Sequence, residues 1–468
     1  MDALTAARAQ MEVSLAFHMF FAALGIGLPL LMLIAEGLWL RTGRAHYREL
    51  ARTWARATAL AFAVGAVSGT ALSFELGLLW PRFMEVAGSI LGPAFALEGY
   101  AFFIEAIFLG LYLYGWDRLS PRAHWWTGVP VAVSGLLSGV LVVAANAWMQ
   151  TPVGIDTAAL GGAGTLAPTS ALGPLVMADP LAVFRTPYWF HMALHSSLSC
   201  YIATAFAVAG VYALGLRRGR RDAYHRAGLT IAMAVGAVTA VLQPLSGDVS
   251  ARAVAKYQPA KLAAAEAHFE TGTGVPLTIG GIPTADGEVK YALRIPKGLS
   301  LLAHHDPEAE VIGLDAYPRA EWPNVLITHL AFQVMVGLGF ALVGLSLWFW
   351  LAAWRDRRRA RRDAGDPGRT QAGPLLLLAV VAGAPLGFLA LQAGWLVTEV
   401  GRQPWVIYGV MRTEDGVTPV SGVPLTLFGF AVLYLVLGTA LVILLRGLAR
   451  HRRGVTPEPD GMEEAARA

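Results

Sequence analysis

Nine separate stretches of this 468-residue chain are long and apolar enough to cross a lipid bilayer, near 13–40, 53–80, 94–115, 125–148, 188–216, 227–246, 325–354, 373–398 and 422–445. A spanning helix needs about 20 mostly apolar residues. With no water inside the bilayer, only helices and closed barrels satisfy every backbone polar group. The expected fold is therefore all-α, a polytopic transmembrane helix bundle of about nine spans. Charged residues make up 15% of the chain against 56% hydrophobic ones, too few to clothe a soluble protein of this size. That excludes an ordinary soluble enzyme, a disordered chain and a nucleic-acid binder, despite a net charge of +4. The first span is too long and too rich in internal polar residues for a cleaved signal peptide. Pro29, Pro130 and Pro385 fall inside spans and predict kinks or local breaks.

Cations set the orientation, because cytoplasmic connections are enriched in lysine and arginine. Arginines crowd the connections after the first span (Arg41, Arg44, Arg48, Arg52), the third (Arg118, Arg122), the fifth (Arg217, Arg218, Arg220, Arg221, Arg226) and the seventh (Arg355, Arg357, Arg358, Arg359, Arg361, Arg362, Arg369), and recur in the tail from Arg446. The N-terminus is expected outside and the C-terminus in the cytoplasm. The chain divides into helices 1–6 over 1–246, an outer loop over 247–324, helices 7–9 over 325–446, and a tail over 447–468 that reads as disordered. The loop holds all four lysines (Lys256, Lys261, Lys290, Lys297), and a connection of that size usually binds something or folds on its own. Within it, Ala251 to Phe269 reads as a short helix and 274–295, around Gly280-Gly281, as a hairpin.

Ionisable groups in the hydrocarbon zone are expensive and point to function. The spans hold His18, Glu36, Glu75, Glu98, Glu105, His191, His195, His329 and Glu399, together with Met335, Gln333, Ser138 and Asn146. His18, in an apolar run, reads equally well as a histidine bonded across helices or as an axial haem ligand. His191 and His195, four apart, share a helix face and read as a ligand plus a supporting group or as a metal clip. Met335 is core filler unless a histidine faces it across a flat cofactor. Glu98 and Glu105, about two turns apart, project from one face and suit a proton path or a buried cation's partner. The run Gly394-Trp395-Leu396-Val397-Thr398-Glu399-Val400-Gly401-Arg402-Gln403-Pro404-Trp405 is too specific for interface decoration.

Six stretches in order resemble subunit I of the cytochrome bd-type ubiquinol oxidases over almost the whole chain. They are Arg8-Ala9-Gln10-Met11 with His18; Leu97-Glu98-Gly99 with Phe102-Phe103-Ile104-Glu105; Tyr114-Gly115-Trp116-Asp117-Arg118; Ala145-Asn146-Ala147-Trp148-Met149-Gln150-Thr151-Pro152-Val153-Gly154; Lys261-Leu262-Ala263-Ala264-Ala265-Glu266; and Gly401-Arg402-Gln403-Pro404-Trp405. The resemblance implies a haem-containing terminal oxidase of the bacterial cytoplasmic membrane that oxidises quinol at the outer face and reduces O2 to water, building a proton gradient without pumping. It implies two b haems and a third that is d or b. His195 and Met335 map onto the ligands of the low-spin haem, and His18 and Glu399 onto the axial ligands of the other two, without deciding which binds which. Trp395 and Arg402 join the cofactor-binding set. Glu98 maps beside the oxygen-reducing pair, and Glu105, Ser138 and Asn146 onto proton-carrying positions. Lys261 and Glu266 map onto the quinol site; their spacing of five puts them about 140° apart on an ideal helix, so they would approach a ligand separately. A second subunit is the implied partner, with small single-span subunits as further candidates.

Two departures stand out. Gln333 occupies a position where an arginine stands in well-known relatives, two residues before Met335, and His191 is an additional histidine that competes with His195 as ligand. A haem–copper oxidase needs more intramembrane histidines, and a bc-type cytochrome b needs histidine pairs on two helices. The readings from other classes are a haem-binding subunit without quinol oxidation and a proton-coupled transporter using Glu98, Glu105 and His195.

Overall fold

The computed structural model describes residues 2–155, 181–284, 286–362, 373–420 and 422–451. Among them, nine helical segments are long and apolar enough to cross a membrane. They are α1 (Ala3–Thr42), α2 (Ala45–Leu79), α3 (Pro81–Tyr114), α4 (Pro121–Gln150), α5 (Trp189–Arg217), α6 (Ala223–Tyr257), then, after the loop, α9 (Val325–Arg362), the pair α10 (Pro374–Gly383) and α11 (Leu386–Val400), and α13 (Val423–His451). Helix starts carry recognisable signals. The Asp2 carboxylate accepts from Thr5 N at 2.7 Å and Asp222 from His225 N at 2.8 Å, which satisfies orphan first-turn donors. Pro29 and Pro130 stay inside continuous helices. At Pro385, by contrast, the eighth span breaks into α10 and α11, since proline lacks the N–H that would continue the ladder.

Helix α1 packs against α2, α4, α5 and α13, while α5 meets α6, α10 and α11, and α9 meets α6 and α11. Small residues permit close approach, as expected where lipid gives no hydrophobic drive for helix pairing. A Cβ on Gly387 would fall 2.6 Å from the backbone of Ala203, so α11 rests directly on α5. A core of Leu31, Met32, Trp54, Tyr112, Phe206, Met233, Leu342 and Val380 ties α1, α2, α3, α5, α6, α9 and α10 together. On the side of the arginine-rich connections, Asp117 sits 3.8 Å from Arg48 and 3.4 Å from Arg52, whose guanidiniums lie over Trp116.

The loop is folded, and its first boundary differs from the sequence expectation. Helix α6 runs on to Tyr257, so the short helix expected over 251–269 is the end of α6 plus a separate α7 (Pro259–Glu266). The reason is Pro259: it ends one helix and suits the first turn of the next. The hairpin expected over 274–295 is present as β2 (Leu277–Pro283) and β3 (Val289–Ile295), with Gly280 and Gly281 at φ of 66° and 93° where β2 becomes irregular. Short strands β1 (Gly272–Thr273) and β4 (Glu310–Val311) pair antiparallel, and α8 (Gly298–His304) lies between the hairpin and β4 in the chain. Past α11, strands β5 (Trp405–Ile407) and β6 (Met411–Arg412) and the single turn α12 (Thr413–Gly416) form a compact cap. The tail expected to be disordered lies, from 452 onward, outside the described residues.

Candidate functional site

Three histidines share one design. His18 Nδ1 lies 3.0 Å from Ser68 Oγ, and that hydroxyl donates to the Gly65 carbonyl at 3.1 Å. The hydroxyl's proton being engaged, it accepts from Nδ1–H and leaves Nε2 with a free lone pair, the form that ligates metals. His195 repeats the arrangement: Nδ1 is 2.8 Å from Ser246 Oγ, which donates to Gln243 O at 2.8 Å. So does His191, with Nδ1 3.2 Å from Ser250 Oγ, which donates to Ser246 O. They differ at the other nitrogen. The Gln243 amide meets His195 Nε2 at 3.0 Å, whereas His191 Nε2 is buried without a partner. Both rings pack closely on glycines: a Cβ on Gly69 would lie 3.0 Å from His18 Cε1, and one on Gly247 would lie 3.5 Å from His195 Cε1. Met335 Sδ approaches α11 over Gly394, where a Cβ would be 3.0 Å away.

A second cluster forms at the end of α11. Arg402, almost fully buried, donates from Nη2 to Glu399 Oε2 at 2.6 Å, and Gln403 donates to Glu399 Oε1 at 3.2 Å. Among the described residues, Arg402 keeps two buried donors, Nε and Nη1, without partners. Helix α7 docks here, because Gly401 has no side chain where Lys261 Cγ passes within 2.9 Å of a Cβ position. Lys261 is buried and donates to the Gln150 side chain. Burial first, then the neighbouring Arg402, push its ammonium well below the ordinary lysine range, with Glu399 opposing. Glu266, at the other end of α7, is buried with both carboxylate oxygens unpartnered among the described residues, and burial pushes it up to about 8. The two residues therefore face different surroundings and do not pair.

Along the α3–α4 interface, Ser138 donates to Glu98 Oε1 at 3.1 Å, and Glu105 packs on Gly135, 3.2 Å from a Cβ position there, with Oε1 buried and unpartnered. Asn146 goes elsewhere: its Oδ1 accepts from Gln150 Nε2 at 2.9 Å, joining it to the Lys261 cluster. Among the described residues no group of three or more His, Cys, Asp or Glu side chains is placed to hold a bare metal ion. The candidate ligands come from separate helices, the pattern a large planar cofactor needs.

The model of the family described as cytochrome bd terminal oxidase subunit I matches residues 6–453. The chain belongs to that family. It is 36% identical over 450 residues to a Bacillus subtilis (strain 168) chain named as a cytochrome bd menaquinol oxidase subunit I, covering 95% of this chain and 96% of that one. It is 28% identical to the cytochrome bd-II ubiquinol oxidase subunit 1 of Escherichia coli (strain K12), over 88% of this chain and 89% of that one. The solved bd oxidase of Geobacillus thermodenitrificans is similar throughout, with a TM-score of 0.85 at 37% identity, covering 96% of this chain and 99% of that chain. This subunit I is thus part of a multi-pass terminal oxidase of the bacterial cytoplasmic membrane, works with a subunit II, and uses haem.

Several residues of this subunit I gain partners in the fold that the sequence did not supply. Glu12 accepts from the Trp395 indole at 3.3 Å and lies within electrostatic reach of Glu399. Gln150 and Gln258 form the buried floor on which Lys261 rests, Gln258 donating to Gln150 Oε1 at 2.9 Å. Glu75, noted from sequence without a role, accepts from Ser14 at 2.7 Å and Gln10 at 3.2 Å. Glu36 accepts from the Tyr112 hydroxyl at 2.5 Å and faces His124 Nδ1 at 2.7 Å. The available signal was a polar residue in an apolar run. Their partners lie tens of residues away, where no local period reaches.

Proposed function

We propose that this subunit oxidises a membrane quinol at the face opposite its basic connections and passes the electrons through three haems to dioxygen, forming water. The observation that carries the reading is the docking of loop helix α7 against Gly401 and Arg402, beside Glu399, which joins the loop to the ligand-bearing end of α11. His195 and Met335 would hold the low-spin haem, and His18 and Glu399 the other two. The donor sets suit this: each histidine has Nδ1 engaged by a serine, Met335 Sδ lies against Gly394 of α11, and Arg402 has two donors without a partner among the described residues, suited to carboxylate groups. For His195 to ligate, the Gln243 amide must leave Nε2. His191, whose Nε2 is already free, stays the competing ligand. Held by these residues, haem would supply the electron-transfer and oxygen-reducing chemistry.

The chain's own residues supply binding and protons. Glu266 offers two free oxygens to a quinol hydroxyl, and its raised proton affinity suits it to accept the proton released on oxidation. Lys261 and Arg402 lie together near Glu399, leaving burial as the cause of the raised proton affinity of Glu266. Two quinols give four electrons and four protons, the protons leaving at the outer face, while four others reach oxygen from the cytoplasm. Glu105, Glu98 and Ser138 form a row on the α3–α4 interface suited to carry them. Relatives named for menaquinol and for ubiquinol are both similar to this chain, so the substrate class is a membrane quinol of either kind.

A reduced-minus-oxidised visible spectrum of the purified two-subunit complex tests the reading. Haem bands are expected, with the low-spin b component lost in His195→Ala, and a red chlorin band would assign haem d to the third site. Glu266→Gln should keep the spectrum and raise the KM for quinol severalfold. A spectrum without haem bands would overturn the oxidase reading. An unchanged KM in Glu266→Gln would instead favour a haem-binding subunit that does not itself oxidise quinol.

A further inference from the structure

One apolar face of the β2–β3 hairpin is largely uncovered among the described residues, with only its Leu277 end packed on the loop core beside Gly298. In the antiparallel register, Leu277 stands opposite Ile295 and Ile279 opposite Leu293, so these four share one face. Ile279, Leu293 and Ile295 are exposed, and Tyr291, at the irregular point of β3, is 90% exposed. Lys290 and Arg294, also exposed, alternate with them along β3. Exposed apolar and tyrosine groups on one side, and cations on the other beside the exposed Ile282 that stands opposite Lys290, make the composition of an interfacial segment.

Its depth is fixed by α9. The Gln333 side chain clips the free edge of β2, accepting from Gly280 N at 2.9 Å and donating to Thr278 O at 3.0 Å. One turn earlier, His329 Nε2 lies 3.0 Å from Gly280 O, while its Nδ1 lies 2.8 Å from Ala265 O of α7. Gln333 is eight residues into α9, about 12 Å from the start of that helix at Val325. Counting back from Trp354, just before the first arginine of the basic connection, the same residue is about 30 Å away, the thickness of the hydrocarbon layer. Gln333 thus marks the outer edge of the hydrocarbon, and the strand it holds lies at headgroup level. Beside the clip, Leu326, Leu330 and Val334 form an exposed stripe at helical spacing on the same helix. The outer edge of β3, paired with no strand among the described residues, fits this level as well, because water reaches backbone groups at the interface but not in the hydrocarbon.

We infer that the hairpin is a membrane-seated element: Ile279, Tyr291, Leu293 and Ile295 rest in the outer leaflet's interfacial zone, in contact with lipid, and Gln333 and His329 fix their depth. The loop is thereby moored to the bilayer as well as to the helix bundle. This goes beyond the quinol reading and does not depend on what the loop binds.

The test uses the complete two-subunit complex in lipid nanodiscs, with a cysteine introduced by Leu293→Cys and labelled with an environment-sensitive nitrobenzoxadiazole dye. The parent complex, whose chain I carries only Cys200, serves as the labelling blank. Lipids bearing a nitroxide near the headgroup should quench the dye at 293 severalfold more than at a Glu310→Cys control on the exposed strand β4, and aqueous iodide should quench it severalfold less. Equal iodide access at 293 and 310 would overturn the proposal. So would protection from both quenchers, which would mean a protein partner covers the face. Should Leu293→Cys fail to assemble, Tyr291→Cys reads the same face from a side chain that makes almost no contact in the fold.

Discussion

Glu266 illustrates how a single residue's surroundings convert into a measurable property. Its carboxyl is buried without a hydrogen-bond donor, and burial raises it from 4.5 to about 8. Between those values the folded protein holds a proton that the unfolded chain has released. Stability associated with this group is therefore complete below about pH 4.5 and is lost as pH rises through about 8. Glu266→Gln keeps the shape and removes the titration. Thermal unfolding of the complex from about pH 5 to about pH 9 should show the wild type losing ground to the variant as pH rises; parallel curves would contradict the assignment. The sequence could place Lys261 and Glu266 on one helix and separate them in angle. It could not supply Gln150, which holds Lys261 from 111 positions away, because such a contact leaves no local period. Gln333 makes the same point. From sequence it is a missing cation near Met335, whereas in the fold its amide both donates and accepts along β2, which an arginine, lacking an acceptor, would not reproduce.

At the scale of elements, spans were the most legible part, since a run of about 20 apolar residues has few other uses. Their ends were less so. Helix α6 continues three turns into the loop because Gly247 to Tyr257 is polar yet still suited to a helix, and only Pro259 stops it. The hairpin was legible from Gly280-Gly281, but its attachment to α9 was not. That attachment makes a prediction about β2. Gln333→Ala leaves the Gly280 N–H and the Thr278 carbonyl without their partner, at a cost of about 1–3 kcal/mol for local opening. Hydrogen exchange read by mass spectrometry should speed up by roughly tenfold or more over 277–283, with the interior of α1 and α5 unaffected. Unaltered exchange in the hairpin would mean that His329 and the contacts with α8 hold it in place without Gln333.

For the whole molecule, the distribution of charge is the organising fact. The arginine-rich connections join α1 to α2, α3 to α4 and α5 to α6, all at one end of the bundle, and the folded loop with every lysine lies at the other. Nine candidate spans lie between Ala3 and His451 among the described residues, and we propose from the cation rule that the arginines face the cytoplasm. The proposed chemistry requires that orientation: quinol protons must leave where Glu266 lies, and the α3–α4 row must open toward Arg118 and Arg122. Single cysteines in otherwise intact cells decide it. A membrane-impermeant maleimide should label Glu310→Cys in the loop from outside and should reach Arg220→Cys, in the α5–α6 connection, only after the membrane is opened. Labelling in the reverse order would invert the molecule, and with it the direction in which oxidising quinol at this loop could move charge.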